Sequence, residues 1–134
     1  MAKESGLGMS VAIDDSGGTA RTISNDITSM DWATPREEQD TTGLDKSARE
    51  RLQTLADFTV SNSGVFNDAS NMSHDVFKTV PSSSVARTTT ITISGQVLAG
   101  ELFYSDYALS RSSSGELTWS APGALSGGAV PTWA

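Results

Sequence analysis

The segment from Pro35 to Arg51 restricts the possible folds most, because a globular core cannot take it in. Nine of the chain's 25 charged side chains fall within these 17 residues, namely Arg36, Glu37, Glu38, Asp40, Asp45, Lys46, Arg49, Glu50 and Arg51. Charges at this density stay in solvent or pair with charges on a partner. The stretches on both sides are typical of β-strands. The sequence therefore predicts a long charged loop that projects from a β-scaffold.

Alternating apolar and polar residues, the pattern of half-buried strands, recur along the rest of the chain. We predict strands at residues 9–13, 23–32 with a bulge or break at Asn25-Asp26, 57–66 with a bulge at Gly64, 87–94, 97–109 after a Gly95-Gln96 turn, and 116–119. A short helix is expected at residues 71–79 and a flexible arm at residues 1–8. The predicted fold is a mainly β single domain over residues 1–134. Its two packed antiparallel sheets form a sandwich or a partly closed barrel.

Residues Asp45 to Thr54, within and just after the charged segment, allow two conformations. Leu44, Ala48, Leu52 and Leu55 have helical spacing, and Asp45 could cap a short amphipathic helix. The alternative is an extended limb of a hairpin that becomes ordered only against a partner. The pattern of these residues is compatible with both.

Composition excludes several kinds of chemistry. The chain has no cysteine, so it has no disulfide, thiolate metal site or thiol nucleophile. No apolar run resembles a secretory signal or a membrane span, and we expect no membrane partner. The formal net charge of −7 disfavours phosphate binding, which needs clustered Lys and Arg, but suits a surface to which DNA must not adhere.

The side chains that could support catalysis or metal binding do not form a recognised pattern. The single histidine, His74, lies between Ser73 and Asp75, and three consecutive residues point in different directions rather than converging as a triad. The acidic pairs Asp14-Asp15 and Glu37-Glu38 lie in polar stretches. No calcium loop or dinucleotide motif is complete. We therefore expect no enzyme and no cofactor.

Four aromatic residues near the C-terminus, Tyr104, Tyr107, Trp119 and Trp133, leave a second functional class open. Aromatic side chains on one face of a sheet can stack on sugars or bases, which would make the chain a carbohydrate-binding β-sandwich. On the strands of a sandwich, however, such residues more often belong to the core or to subunit contacts.

The order of several short stretches resembles one family, the major tail tube proteins of long-tailed (siphovirus-type) bacteriophages. The resemblance covers about residues 8–134. It is carried by residues 25–29 (NDITS), 40–44 (DTTGL), 64–68 (GVFND), the helical stretch 74–80, 88–94, 106–111 (DYALSR) and 115–119 (GELTW), with Gly128, Pro131 and Trp133. Each stretch alone is weak evidence, and their order and spacing make the likeness specific.

The resemblance implies a structural function. Proteins of this family form hexameric rings that stack into the tail tube of a virion, after synthesis in the host cytoplasm, together with tape measure and tail terminator proteins. It implies that the N-terminal arm and the loop at residues 34–52 contact a neighbouring ring. DNA would pass through an acidic lumen, for which Asp57, Glu101, Asp106 and Glu116 are candidates on predicted strands.

Two further expectations follow from the same resemblance. The chain stops at Ala134, so we expect none of the immunoglobulin-like domain that some relatives add after this point. The closest alternative function within phage tails is a tail terminator or tail-completion protein of similar fold, which forms a ring but does not stack indefinitely.

Overall fold

A computed structural model describes residues 3, 5–127 and 129–134. The strands are β1 (Ser10–Asp14), β2 (Ala20–Thr22), β3 (Ile27–Ala33), β4 (Arg36–Asp40), β5 (Arg51–Ala56), β6 (Thr59–Val65), β7 (Arg87–Ile93), β8 (Gln96–Tyr104), β9 (Ala108–Arg111), β10 (Leu117–Leu125) and β11 (Thr132–Trp133). The only α-helix within these residues is α1 (Ser73–Phe77). The mainly β fold with one short helix is therefore confirmed.

Nine of the strands form one antiparallel sheet in the order β2-β1-β7-β8-β10-β6-β3. β11 pairs with the first half of β8, and β9 pairs with the first half of β10. The sheet is curled. Its strands β1 and β3 are not neighbours, yet residues of both line one groove. Within the described residues its end strands do not pair, so the barrel stays open. β4 and β5 form a separate two-stranded sheet.

The core lies on the inner face of the curled sheet, where it packs against α1. Alternation along the strands supplies its side chains, as the sequence predicts for Leu98, Leu102 and Tyr104 on β8. Phe77 of α1 packs against Tyr104 and Trp119, with ring centroids 5.3 and 5.1 Å apart. The other fully buried apolar side chains are Val11, Ile13, Ile23, Phe58, Val60, Val76, Ile91 and Ala121.

A buried carboxylate breaks the strand predicted at residues 23–32. Ser24–Asp26 forms a 3-10 turn, and Asp26 is only 5% exposed. Its carboxylate accepts hydrogen bonds from Asn67 Nδ2 (2.9 Å) and from the backbone N–H of Ser73 (3.0 Å). The second bond satisfies a free N–H in the first turn of α1. The predicted break at Asn25-Asp26 is thus confirmed, and the Asp26 carboxylate links the 3-10 turn to α1.

Two predicted boundaries are wrong near β8. The expected strand at residues 97–109 is interrupted at residues 105–107, where Tyr107 turns inward to contact Phe77 and Trp119. The hairpin turn before β8 is at Ser94-Gly95, one residue earlier than predicted. Both residues have positive φ (48° and 80°), as the tightest hairpin turns require.

Two other boundaries also differ from the prediction. The irregularity expected at Gly64 lies on the partner strand, since the pairing of β3 with β6 shifts between Ile27 and Ser29. The helix predicted at residues 71–79 is shorter, because Asn71 has a positive φ of 66° that no helix residue adopts. Of the arm predicted at residues 1–8, residues 1, 2 and 4 lie outside the described residues, and its flexibility stays a prediction.

A buried arginine holds the other end of α1. Arg87 is 1% exposed, and its guanidinium donates hydrogen bonds to the carbonyl oxygens of Val76 (2.7 Å) and Asp14 (3.1 Å) and to Thr79 Oγ1 (2.8 Å). Burial lowers the pKa of Arg87 from its usual value. A cation near the C-terminus of a helix meets unpaired carbonyls there, which accounts for an arginine inside this core.

Gly64 is a position where any side chain would conflict with the backbone. A Cβ atom there would overlap the carbonyl of Asp26 and lie 2.9 Å from Trp119 Cζ2. We expect Gly64→Ala to lower the free energy of unfolding by at least about 2 kcal/mol, as overpacking does. Gly127→Ala is the control, since nothing lies within 4 Å of its Cβ position. Equal urea unfolding midpoints for the two variants would contradict the close approach.

Tyr104 makes the free energy of unfolding depend on pH in the alkaline range. Burial raises the pKa of its hydroxyl to about 12, whereas the unfolded chain ionises near its ordinary value of about 10. Tyr104 should therefore contribute no pH dependence to the free energy of unfolding below about pH 10. Above that pH its ionisation in the unfolded chain should lower the free energy of unfolding by up to about 1.4 kcal/mol per pH unit. Tyr104→Phe cannot ionise, so its unfolding free energy should fall less steeply across this range.

Tyr104→Phe should also lower the free energy of unfolding at neutral pH. Tyr104→Phe loses the 2.6 Å hydrogen bond between the Tyr104 hydroxyl and Thr89 Oγ1, which should lower stability by about 1 kcal/mol. Urea unfolding of both proteins from neutral to alkaline pH separates this constant difference from the slope. If the free energies of unfolding of the two proteins stayed parallel above about pH 10, the pKa of Tyr104 would be the same in the folded and unfolded states.

Candidate functional site: a charged hairpin and a sheet face without cations

The charged segment forms a hairpin that stands apart from the large sheet. β4 pairs with β5 in the register Gln39↔Leu52 and Asp40↔Arg51, and a bond from Thr41 N to the Glu50 carbonyl (2.9 Å) closes its ten-residue end loop. Of residues 45–54, the part from residue 51 onward lies in β5 and residues 45–50 belong to the end loop, so the helical alternative is wrong and the extended limb is confirmed for residues 51–54 only. Cross-strand pairing with β4 is available to residues 51–54, whereas an isolated helix of this length is marginal in water.

One carboxylate organises the end of this hairpin. Asp40 Oδ1 accepts hydrogen bonds from the Thr42 hydroxyl (2.6 Å) and backbone N–H (3.0 Å), and Asp40 Oδ2 pairs with Arg49 Nη1 at 2.6 Å. Thr42 Oγ1 in turn accepts from the N–H of Glu50 at 2.8 Å. The Thr42 hydroxyl and N–H, followed by Arg49, hold the pKa of Asp40 below its usual value. We call these four residues the tip lock.

The remaining charges of the hairpin are less constrained. Arg36 donates twice to the Thr54 carbonyl (3.2 and 2.8 Å), and Lys46 lies 3.9 Å from Glu50. Within the described part of the chain, five members form no ion pair, namely Arg36, Glu37, Glu38, Asp45 and Arg51. All nine predicted interface residues therefore lie on one exposed element. Their contact with another subunit stays a prediction.

The outward face of the nine-stranded sheet carries acids and no described cation. Burial alternates along the central strands β1, β6, β7, β8 and β10, and the strand pairing extends this assignment of faces to the other strands. Its charged members are Asp14, Asp31 and Glu101. The three arginines of the same sheet, Arg21, Arg87 and Arg111, belong to the opposite face. The other members of the face are mostly small or hydroxyl-bearing, including Thr59, Ser61, Ser63, Thr88, Thr90, Thr92, Ala99, Thr118, Ser120 and Ala124.

The structure separates the four acids predicted to face a lumen. Glu101 lies on β8, on the outward face, where its carboxylate accepts a hydrogen bond from the Thr88 hydroxyl. Asp57, Asp106 and Glu116 lie in connections, so their expected placement on strands is wrong. Asp57 follows the hairpin, the inward turn of Tyr107 takes Asp106 out of a strand, and Glu116 accepts from Ser114 in a turn.

Two acids of the outward face, Asp14 and Asp31, were absent from the predicted set. The alternation along β3 could have found Asp31, because it lies between the inward-facing Met30 and Trp32. Asp14 ends β1 on the same side as Ala12.

The residues considered for catalysis do not converge. Ser73 is buried, His74 Nδ1 lies 3.2 Å from the Tyr107 hydroxyl, and Asp75 bonds with the Asn71 N–H and with Lys78. Among the described residues no group of three or more potential metal ligands comes together. The same residues include no helix with the length and apolar character needed to cross a membrane.

The aromatic residues considered for sugar binding do not form a platform. Tyr104 and Trp119 are buried in the core, and Tyr107 is half-buried against Phe77 and Trp119. Trp133 is exposed on β11, at the end of the chain. The expectation that such residues mostly belong to the core is confirmed for Tyr104 and Trp119.

Comparison with known proteins gives a likeness of fold. No protein-family model matches the chain. No curated protein sequence matches it either. Among solved structures, the tail of an empty gene transfer agent particle, determined with C6 symmetry, superposes with a TM-score of 0.82 at 17% identity. The virion of a native gene transfer agent particle gives 0.79 at 17% identity. Each match covers 98% of this chain and 99% of the other. The chain therefore has the fold of a protein found in gene transfer agent particles.

Proposed function

We propose that this chain is the structural subunit of a phage-type tail tube. Six copies close a ring, rings stack into a tube, and DNA passes through the tube into the host cell. The separation of charge on the nine-stranded sheet is the observation that carries the proposal. The likeness to a tail with C6 symmetry and the resemblance described from the sequence support it.

The outward sheet face suits the wall of a DNA passage. Double-stranded DNA carries about one negative charge per 1.7 Å of its length and binds proteins when Lys and Arg release its counterions. A wall that presents Asp31 and Glu101 among hydroxyl and small side chains offers no such release. A ring of six copies would repeat these acids around the passage, so the DNA would be repelled evenly and would slide.

The edges of the large sheet suit ring closure. Among the residues that the structure describes, β3 pairs with β6 only, so the backbone N–H and C=O groups along its other edge are available for pairing. The opposite end, β2, is three residues long. Open edges of this kind pair with other chains, which is a hazard in a monomer and an assembly device in a ring. Pairing between copies would extend the wall from subunit to subunit.

In the proposed tube, the hairpin and the N-terminal arm make the contacts between rings. The resemblance gives the loop at residues 34–52 this role, and the hairpin occupies that segment with nearly every residue exposed. The subunit would assemble from the host cytoplasm into the virion, with tape measure protein inside the tube and a terminator at its end. It would act without catalysis.

Stacking of rings should depend on the hairpin. Residues 37–55 can be replaced by an Asn-Gly turn between Arg36 and Ala56, which are paired across the hairpin. We expect this variant to fold and stay soluble but to form no tubes, whereas the unmodified chain forms tubes of uniform bore in negative-stain micrographs. Normal tubes from the variant would exclude the hairpin from stacking. Single rings from the unmodified chain, at any concentration, would favour a tail terminator instead.

The outward sheet face should line the passage of the assembled tube. Because the chain has no cysteine, Ser120→Cys places a single thiol on the outward face. In assembled tubes we expect this thiol to react with a small maleimide but not with a maleimide on a long polymer. In the unassembled subunit both reagents should react. Full reaction of the polymer reagent with intact tubes would place this face outside the passage.

A further inference from the structure

A buried asparagine lies at the centre of the inward face of β6. Asn62 is fully buried and lies between Val60 and Gly64 on the same face of the strand. Its partners in the strand pairing are Ala121 on β10 and Met30 on β3. Alanine has no polar side-chain atom, and the thioether of methionine is only a weak acceptor. The side chains beside Asn62 therefore do not satisfy its carboxamide.

The Asn62 carboxamide has polar atoms that need hydrogen bonds, namely two N–H donors and an oxygen that accepts two bonds. Within the residues that the structure describes, neither Asn62 Oδ1 nor Asn62 Nδ2 has a hydrogen-bond partner. The large majority of buried polar side-chain atoms in proteins are bonded to protein or to ordered water, because an unpaired amide in an apolar interior is costly. Asn62 thus needs a partner that the described side chains and backbone do not provide.

The hydroxyl of Tyr104 lies beside this carboxamide. Tyr104 on β8 is 8% exposed, Thr89 on β7 is fully buried, and their hydroxyl oxygens are 2.6 Å apart. Burial raises the pKa of Tyr104 to about 12, and the Thr89 and Asn62 side chains beside the hydroxyl oppose this rise. β10 separates β6 from β8 in the sheet, so Asn62 and Tyr104 approach each other across the interior of the curled sheet. The two groups are thus close, yet they are not in the geometry of a direct hydrogen bond.

We infer that a water molecule bound inside the core bridges the Asn62 carboxamide and the Tyr104 hydroxyl. Both groups can donate and accept, so a water can bond with each of them whichever way the amide is turned. Asn62, Tyr104 and Thr89 are uncharged at neutral pH, so a neutral ligand suits them better than an ion. A protein of this length holds on the order of five buried waters, which typically satisfy polar groups of this kind. The inference concerns the folded subunit and does not depend on its assembly.

A groove next to Met30 gives this water a route to solvent. The groove has a volume of about 140 Å³ and is lined by residues on and next to β1 and β3, including Met9, Val11, Ile27 and Met30. Met30 is paired with Asn62 across the strands, and methionine side chains are flexible. The water should therefore exchange with solvent while the chain stays folded.

A crystal structure of the subunit, at a resolution that shows ordered water, tests the site directly. We expect a water within about 3 Å of both the Asn62 carboxamide and the Tyr104 hydroxyl. The water should be lost from Asn62→Leu and from Tyr104→Phe, since each variant keeps the shape of the side chain but removes one ligand. It should persist in Thr89→Val, because the Thr89 hydroxyl bonds with Tyr104. A carboxamide that instead bonds directly with Tyr104 or with the backbone would overturn the inference.

A second test counts the internal waters in solution. Oxygen-17 magnetic relaxation dispersion detects water molecules that stay bound to a protein far longer than surface water does. The unmodified chain should show one more such water than Asn62→Leu. Leucine has the branching of asparagine and leaves no amide unpaired in the core, so this variant should remain folded.

Ser61→Ala is the matched control for the count of waters. Ser61 precedes Asn62 on β6 and is exposed on the opposite face of the strand. Its variant removes a polar group without reaching the core, so its count should equal that of the unmodified chain. Equal counts for Asn62→Leu and the unmodified chain would contradict a water held by Asn62.

Discussion

The two-residue period of the β-strand is the constraint on which the other features of this protein depend. Each strand of the large sheet sends alternate side chains to the core and to the outward face. The period places Arg87 inside and Glu101 outside on adjacent strands. The separation of cations from acids is thus a consequence of backbone geometry applied to a suitable sequence. A shift of one residue in register would exchange the faces and place arginine on the outward side.

Two buried charges hold the short helix against the curled sheet. Asp26 binds the first turn of α1 and Arg87 binds its end, so each terminus has a charged partner of the appropriate sign. α1 is only five residues long and could not persist alone. Phe77, held in this way, packs between Tyr104 and Trp119 and closes the core. The core then needs neither a disulfide nor, in the described residues, a metal.

The hairpin obtains its order from a different source. Its backbone pairing and tip lock are internal, whereas its apolar side chains Leu44, Leu52 and Leu55 are all exposed. A two-stranded hairpin is marginal in water by itself, so its attachment to the sheet and its polar bonds must compensate. An element that is ordered but buries nothing suits docking on another molecule, since little conformational entropy remains to be lost.

The sequence by itself determined the strand alternation, the core face of β8, the break at Asn25-Asp26 and the exposure of the nine hairpin charges, because these depend on local period and on the cost of burying charge. Only the tertiary structure decided between a helix and a hairpin limb at residues 45–54, because pairing with β4 is a long-range interaction. Packing of Tyr107 against Phe77 removed Asp106 from a strand, and strand pairing brought Asp14, Asp31 and Glu101 to one face of the sheet. Such contacts join residues far apart in the chain, which local patterns cannot reveal.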